Sequence, residues 1–168
     1  MSEKEVNINE DLKIILDRLF FTKRDYKFPL KNLSEELLEN YILPNYVEKE
    51  SDKYLIRDYW ERISCRKNLS IEFIEKYKEK LLWRCVIYNN SLTEEFISNN
   101  LDFILANAAS SYGPDVWFYI CSKTDLSLEF VKAHLNNIKY EYFEKNRKLG
   151  RSNKFKIREF FKSYRDLL

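Results

Sequence analysis

The sequence predicts an all-α protein: an array of stacked short helix pairs, α-solenoid-like with irregular repeats, closed by N- and C-terminal capping helices. Three observations predict it. A hexamer recurs four times, as Leu33-Ser-Glu-Glu-Leu-Leu, Leu69-Ser-Ile-Glu-Phe-Ile, Leu92-Thr-Glu-Glu-Phe-Ile and Leu126-Ser-Leu-Glu-Phe-Val. The three Trp residues, Trp60, Trp83 and Trp117, each precede a copy's first Leu by nine positions. Apolar residues follow each hexamer at helical spacing, whereas 2 Gly and 3 Pro in 168 residues leave little material for hairpins. Internal repeats of this kind signal units that bury their apolar faces by stacking.

Residues 1–32 read as an N-terminal cap helix and linker. Asn9 is a candidate N-cap for a helix carrying Leu12, Ile15, Leu16, Leu19 and Phe20, and Pro29 marks a break before the first hexamer. Residues 33–140 carry the repeats. Ser34, Ser70, Thr93 and Ser127 stand where an N-cap hydroxyl accepts from an orphan backbone N–H. Leu33, Leu69, Leu92 and Leu126 at N′ face Leu38, Ile74, Ile97 and Val131 at N4, which is the pattern of a hydrophobic staple. Glu36, Glu72, Glu95 and Glu129 fall in the first turn, where the helix dipole favours an anion. The recurring letters therefore report folding, not chemistry.

The copies differ in length. Leu33 lies 27 positions before Trp60 and Leu92 lies 25 before Trp117, against 14 from Leu69 to Trp83. The two longer copies carry insertions, one with Pro44 and the charged run Glu48–Lys53, the other spanning 106–115. Insertions in repeat arrays map to loops, often on the binding face. Residues 44–53, and Ser110, Ser111, Tyr112 and Asp115, are thus candidate partner loops; the alternative is that the insertions lengthen a helix. In the fourth copy Tyr140 replaces Trp, and after Leu149 a Gly, Gly150, replaces the Ser/Thr. Residues 141–168 read as a basic C-terminal helix from Asn153 to Leu167, closing a single domain over 1–168. Its apolar face is Ile157, Phe160, Phe161, Tyr164 and Leu168, and its basic stripe is Lys154, Arg158, Lys162 and Arg165. Residues 139–168 hold 10 basic and 4 acidic residues within a chain of net charge +2.

Assembled chemistry is absent from the pattern. His134 aligns with Tyr41, Tyr77 and Asn100 of the other copies and reads as a half-buried packing residue. Cys65, Cys85 and Cys121 form no CxxC or Cys/His cluster, which argues against zinc and against a disulfide framework. Phosphate-binding Gly-rich loops, GxSxG and HExxH motifs are missing. No cofactor and no metal are expected, and the chain is read as a non-enzyme. A net charge of +2 gives no global nucleic-acid or membrane signal, and no apolar run approaches the ~20 residues of a membrane span. A soluble cytoplasmic protein is the expectation. The C-terminal stripe, with Tyr140, Tyr142, Phe143 and Phe155 near it, has the composition of a single-strand-binding surface, although those aromatics read as core.

The Trp followed nine residues on by Leu-Ser/Thr-x-Glu-Phe-Ile/Val resembles short helical repeats in proteins of large DNA viruses and bacteriophages, over roughly residues 33–140. The resemblance implies a viral origin and a stacked-helix fold, and carries no functional residues across. The expected function is a protein-binding module, a viral accessory protein acting on a host or viral protein in the host cytoplasm, as an inhibitor of host defence. Two alternatives stand beside it: nucleic-acid binding through the C-terminal helix, and a small-ligand or enzymatic pocket between units near Tyr112–Trp117.

Overall fold

The computed structural model describes residues 33–108, 115–144 and 146–165. The expected N-terminal helix over Leu12–Phe20, the loop residues Ser110, Ser111 and Tyr112, and Leu168 lie outside the described residues. Every regular element among the described residues is helical, which is the all-α class that the apolar spacing predicts. The chain divides into two compact units, Met1–Leu81 and Leu82–Leu168.

In the N-terminal unit, α1 (Glu35–Leu37) runs directly into a π-helix over Leu38–Val47. Ser34 caps it by accepting from the Leu37 N–H at 3.1 Å. The wider turn accounts for Pro44 inside the helix. A proline ring clashes with the carbonyl four residues back in an α-helix, and the π-pattern bond from Glu48 N–H to the Leu43 carbonyl, at 2.9 Å, marks the expanded spacing. The Asn45 amide donates to the Tyr41 carbonyl at 2.9 Å, satisfying an acceptor in the widened turn. Leu38, Ile42, Leu43 and Val47 are buried. The candidate loop 44–53 is therefore corrected: it is helical to Val47, because Leu43 and Val47 extend the buried stripe, and only 48–52 connects. Asp52 then caps α2 (Lys53–Ser64), accepting from Tyr54 N–H at 2.8 Å. After α2 the chain turns through Asn68 at φ 60°, a left-handed position that Asn tolerates better than most residues, into α3 (Ile71–Tyr77). Trp60, Phe73 and Tyr77 form one ring cluster, with Tyr77 5.3 Å from Trp60 and 4.7 Å from Phe73.

The C-terminal unit holds α4 (Trp83–Asn89), α5 (Glu94–Ala108), α6 (Val116–Lys123), α7 (Leu128–Ala133), a 3₁₀ turn at Tyr140–Phe143 and α8 (Arg151–Arg165). Within it α4 packs on α6, α6 on the 3₁₀ turn, and α7 on α8. The second insertion also lengthens a helix: α5 runs 15 residues where α7 runs 6. The last helix starts at Arg151, two residues before the expected Asn153, with Gly150 in the capping position and Lys154 N–H bonded to its carbonyl at 2.9 Å.

The hexamer caps form as expected. Ser70, Thr93 and Ser127 accept from Phe73, Phe96 and Phe130 N–H at 3.0, 3.1 and 3.1 Å. Leu69, Leu92 and Leu126 are buried with their N4 partners Ile74, Ile97 and Val131. A second layer of bonding joins copies in pairs. Glu35, at the first helical position of copy one, accepts from both the backbone N–H and the hydroxyl of Ser70, at 2.7 and 2.6 Å. Glu94 of copy three does the same to Ser127, its hydroxyl bond being 2.8 Å. Copies two and four have Ile71 and Leu128 at that position. The pairing extends to the side chains around it: Trp60 and Trp117, Ser70 and Ser127, Phe73 and Phe130, Tyr77 and His134, and Trp83 and Tyr140 all stand 57 positions apart. The deeper repeat is a doublet of one long and one short copy.

Candidate functional site

The basic stripe is built by α8. Its buried side is set by Ile157, with Phe160, Phe161 and Tyr164 half-buried beside it. At 3.6 residues per turn one flank of the helix gathers Arg151, Lys154, Phe155, Arg158 and Lys162. All five are exposed. Of the four stripe residues expected from sequence, Lys154, Arg158 and Lys162 are thus brought together, and Arg165 closes the helix at its C-terminal end. Arg151 joins them because the helix starts earlier than expected. Phe155 is corrected from core to surface: it is 66% exposed, because its register sets it among the cations and away from Ile157. The other flanking aromatics divide, Phe143 being buried and Tyr140 and Tyr142 half-buried.

A groove of about 670 Å³ runs between α8 and the 3₁₀ turn. Lys139, Tyr140, Glu141 and Glu144 line one side, and Arg158, Phe161, Lys162 and Tyr164 the other. Its floor is aromatic. Phe161 lies 5.8 Å from Tyr140 and 6.5 Å from Phe143; outside the lining, Phe160 stacks on Tyr164 at 6.1 Å with Lys132 over the Phe160 ring. Lys162 holds Glu159 at 2.7 Å. Among the described residues Lys139, Glu141, Glu144 and Arg158 have no side-chain ion-pair partner. The arrangement offers cationic donors, carboxylate acceptors and an apolar floor, which is a binding chemistry.

Asp115, expected in a partner loop, is an N-cap. Its carboxylate accepts from Trp117 N–H at 3.1 Å and starts α6. Burial, followed by the charge of Asp115, raises the phenol of Tyr142 above its ordinary value. His134 lies 5.3 Å from Trp117 and 4.6 Å from Phe130, repeating the Trp60–Phe73–Tyr77 cluster. Cys121 is fully buried, and burial, followed by the charge of Asp115, drives its thiol far above the usual range. Cys65 is exposed and Cys85 partly so. Among the described residues no group of three or more His, Cys, Asp and Glu is placed to hold a metal ion, and no helix is long and apolar enough to cross a membrane.

Sequence reasoning missed Lys139, Glu141 and Glu144 as part of this surface. The available signal was the match of Tyr140 to Trp83, which marks the 139–144 segment as a second helix packed beside its neighbours. Comparison with protein-family models, curated proteins and solved structures finds no match to this chain.

Proposed function

We propose that the chain is a non-enzymatic, α-solenoid-like repeat module that binds another protein through the outer face of its last helix. The observation that carries this reading is Phe155, 66% exposed among Arg151, Lys154, Arg158 and Lys162 and beside an aromatic-floored groove. Aromatic and Arg side chains anchor protein interfaces, and burying a Phe side chain stabilises a complex by roughly 1.5–3 kcal/mol. The packing of α4 on α6, and of α6 on the 3₁₀ turn, supports the solenoid-like arrangement, with α8 as its C-terminal cap. The resemblance to viral and phage repeats supplies the setting: an accessory protein meeting a host or viral protein in the host cytoplasm, there to inhibit a defence function.

The test is affinity purification of the tagged full chain from the host, with quantitative mass spectrometry, beside Phe155→Ala and Arg158→Ala variants of unchanged circular dichroism. A partner retained by the parent chain and depleted at least ~10-fold with the variants is expected. A partner set identical in all three refutes the reading.

The four cations on one helix face favour a second reading, nucleic-acid binding. It requires that log affinity for a single strand fall linearly with log salt, and that Lys154→Ala flatten the slope. Absence of binding at low salt ends it.

A further inference from the structure

We infer that the groove between α8 and the Tyr140–Phe143 turn takes a peptide segment of the partner protein, with an apolar anchor residue held between an acidic and a basic side chain. This deepens the reading above and rests on it.

The walls of the groove carry opposite charge. On the α8 side stand Arg158 and Lys162, and on the turn side Glu141 and Glu144, with Lys139 beside them. Unlike charges that faced each other closely would pair and fill the groove, yet Arg158, Glu141 and Glu144 have no ion-pair partner among the described residues. Lys162 turns along its own helix to Glu159. Between the walls Tyr140, Phe161 and Tyr164 present apolar surface. Phe161 rests against Phe143, which is 2% exposed, so the half-buried floor is backed by the core. The volume of about 670 Å³ falls within the roughly 300–1,000 Å³ range of ligand clefts, and the groove is open along one side, as a bound chain segment requires.

This charge layout selects the occupant. A nucleic-acid strand is uniformly anionic and would bring phosphates against Glu141 and Glu144. A peptide meets both walls at once: a carboxylate side chain on Arg158, a cationic one between Glu141 and Glu144, and an aliphatic or aromatic residue on Phe161. Like charges placed against either wall cost binding energy, so the polarity also fixes the direction in which the segment lies.

The experiment selects a displayed random peptide library on the full-length protein, then measures the enriched peptides, fluorescein-labelled, by anisotropy. Enriched peptides combining one acidic, one apolar and one basic position are expected. Arg158→Glu and Glu144→Lys should each weaken them roughly 10- to 100-fold. The double variant should regain affinity for a peptide whose acidic and basic residues are exchanged, a rescue that damage to the fold cannot produce. Peptides that bind Phe161→Arg as tightly as the parent, but lose affinity with Phe155→Ala, overturn the groove and leave the binding-module reading standing. A poly-dT strand that binds more tightly when Glu141 and Glu144 are changed to Gln overturns the peptide as occupant. Failure to enrich any peptide, together with a variant-independent partner set in the purification, overturns both.

Discussion

Ser70→Ala should cost far more than its exposure suggests. In the parent chain the Ser70 hydroxyl accepts from Phe73 N–H at 3.0 Å and donates to Glu35 at 2.6 Å, while its backbone N–H donates to the other Glu35 oxygen at 2.7 Å. Removing the hydroxyl deletes an N-cap, worth about 1 kcal/mol. It also deletes a hydrogen bond to a charged acceptor, worth about 1.5–3 kcal/mol when shielded. The node is only part-buried, so a total of about 2–3 kcal/mol is expected. Ser34→Ala is the internal control. Ser34 caps its helix at 3.1 Å, and among the described residues its hydroxyl has no carboxylate partner, so about 1 kcal/mol is expected. Urea unfolding followed by circular dichroism measures both, and fluorotryptophan resonances assign the change, because Trp60 is the only Trp of the N-terminal unit. A double-mutant cycle between Glu35→Ala and Ser70→Ala should give a coupling of at least ~1 kcal/mol. The cycle is needed because Glu35 also lies near Arg66, whose guanidinium donates to the Leu33 carbonyl and is lowered in pKa by burial and raised back in part by Glu35. If Ser70→Ala costs no more than Ser34→Ala, or the coupling stays below ~0.5 kcal/mol, the clamp contributes no stability and the reasoning fails.

Four further outcomes follow from the same geometry. Asn146 is buried, donates to the Cys121 and Thr124 carbonyls at 2.6 and 2.7 Å, and accepts from Lys148 and Leu149 N–H. Asn146→Asp turns an acceptor toward two carbonyls and should destabilise by about 2–4 kcal/mol in urea, whereas a loss under ~1 kcal/mol would refute this account of the site. His134→Tyr copies the Trp60–Phe73–Tyr77 cluster onto Trp117 and Phe130 and should change stability by less than ~1 kcal/mol, while His134→Ala leaves a gap and costs more. Thiol labelling of the native protein should modify Cys65 fastest and spare Cys121 until the protein unfolds. Burial raises the Cys121 thiol, so the fold favours the protonated form. That contribution is complete below the unfolded value of about 8.5 and is lost as pH climbs above it, so the urea midpoint should fall from there upward, and less steeply in Cys121→Ala.

The helix starts were legible because capping is a local chemistry. Ser34, Ser70, Thr93 and Ser127 each need only a backbone N–H three residues on, and the sequence holds both ends of that bond. Glu35 and Glu94 stand beside Glu36 and Glu95 at the helix starts, where local pattern predicts only a dipole partner. Their principal bonds go to residues 35 and 33 positions away, which local pattern cannot reveal. The insertion at 44–53 looked like a loop because proline and a charged run suggest one, yet a π-turn accommodates Pro44 and the stripe Leu38, Ile42, Leu43 continues to Val47. The basic stripe was legible as spacing on one helix. Its groove was not, because Glu141 and Glu144 come from a turn whose helical character survives only as the faint match of Tyr140 to Trp83.

The alternation of clamps limits how such a chain can be edited. A copy beginning Leu-Ser/Thr-Glu-Glu offers a carboxylate forward, and a copy beginning Leu-Ser-Ile or Leu-Ser-Leu receives one and offers none. Deleting an internal copy, or duplicating any one copy, would set two carboxylate copies or two serine copies in succession and leave a carboxylate or a serine without its partner. Deleting or duplicating a doublet of 57 residues keeps every pairing intact. The heritable and designable module is therefore the pair, and shorter or longer forms of this architecture should differ by even numbers of copies.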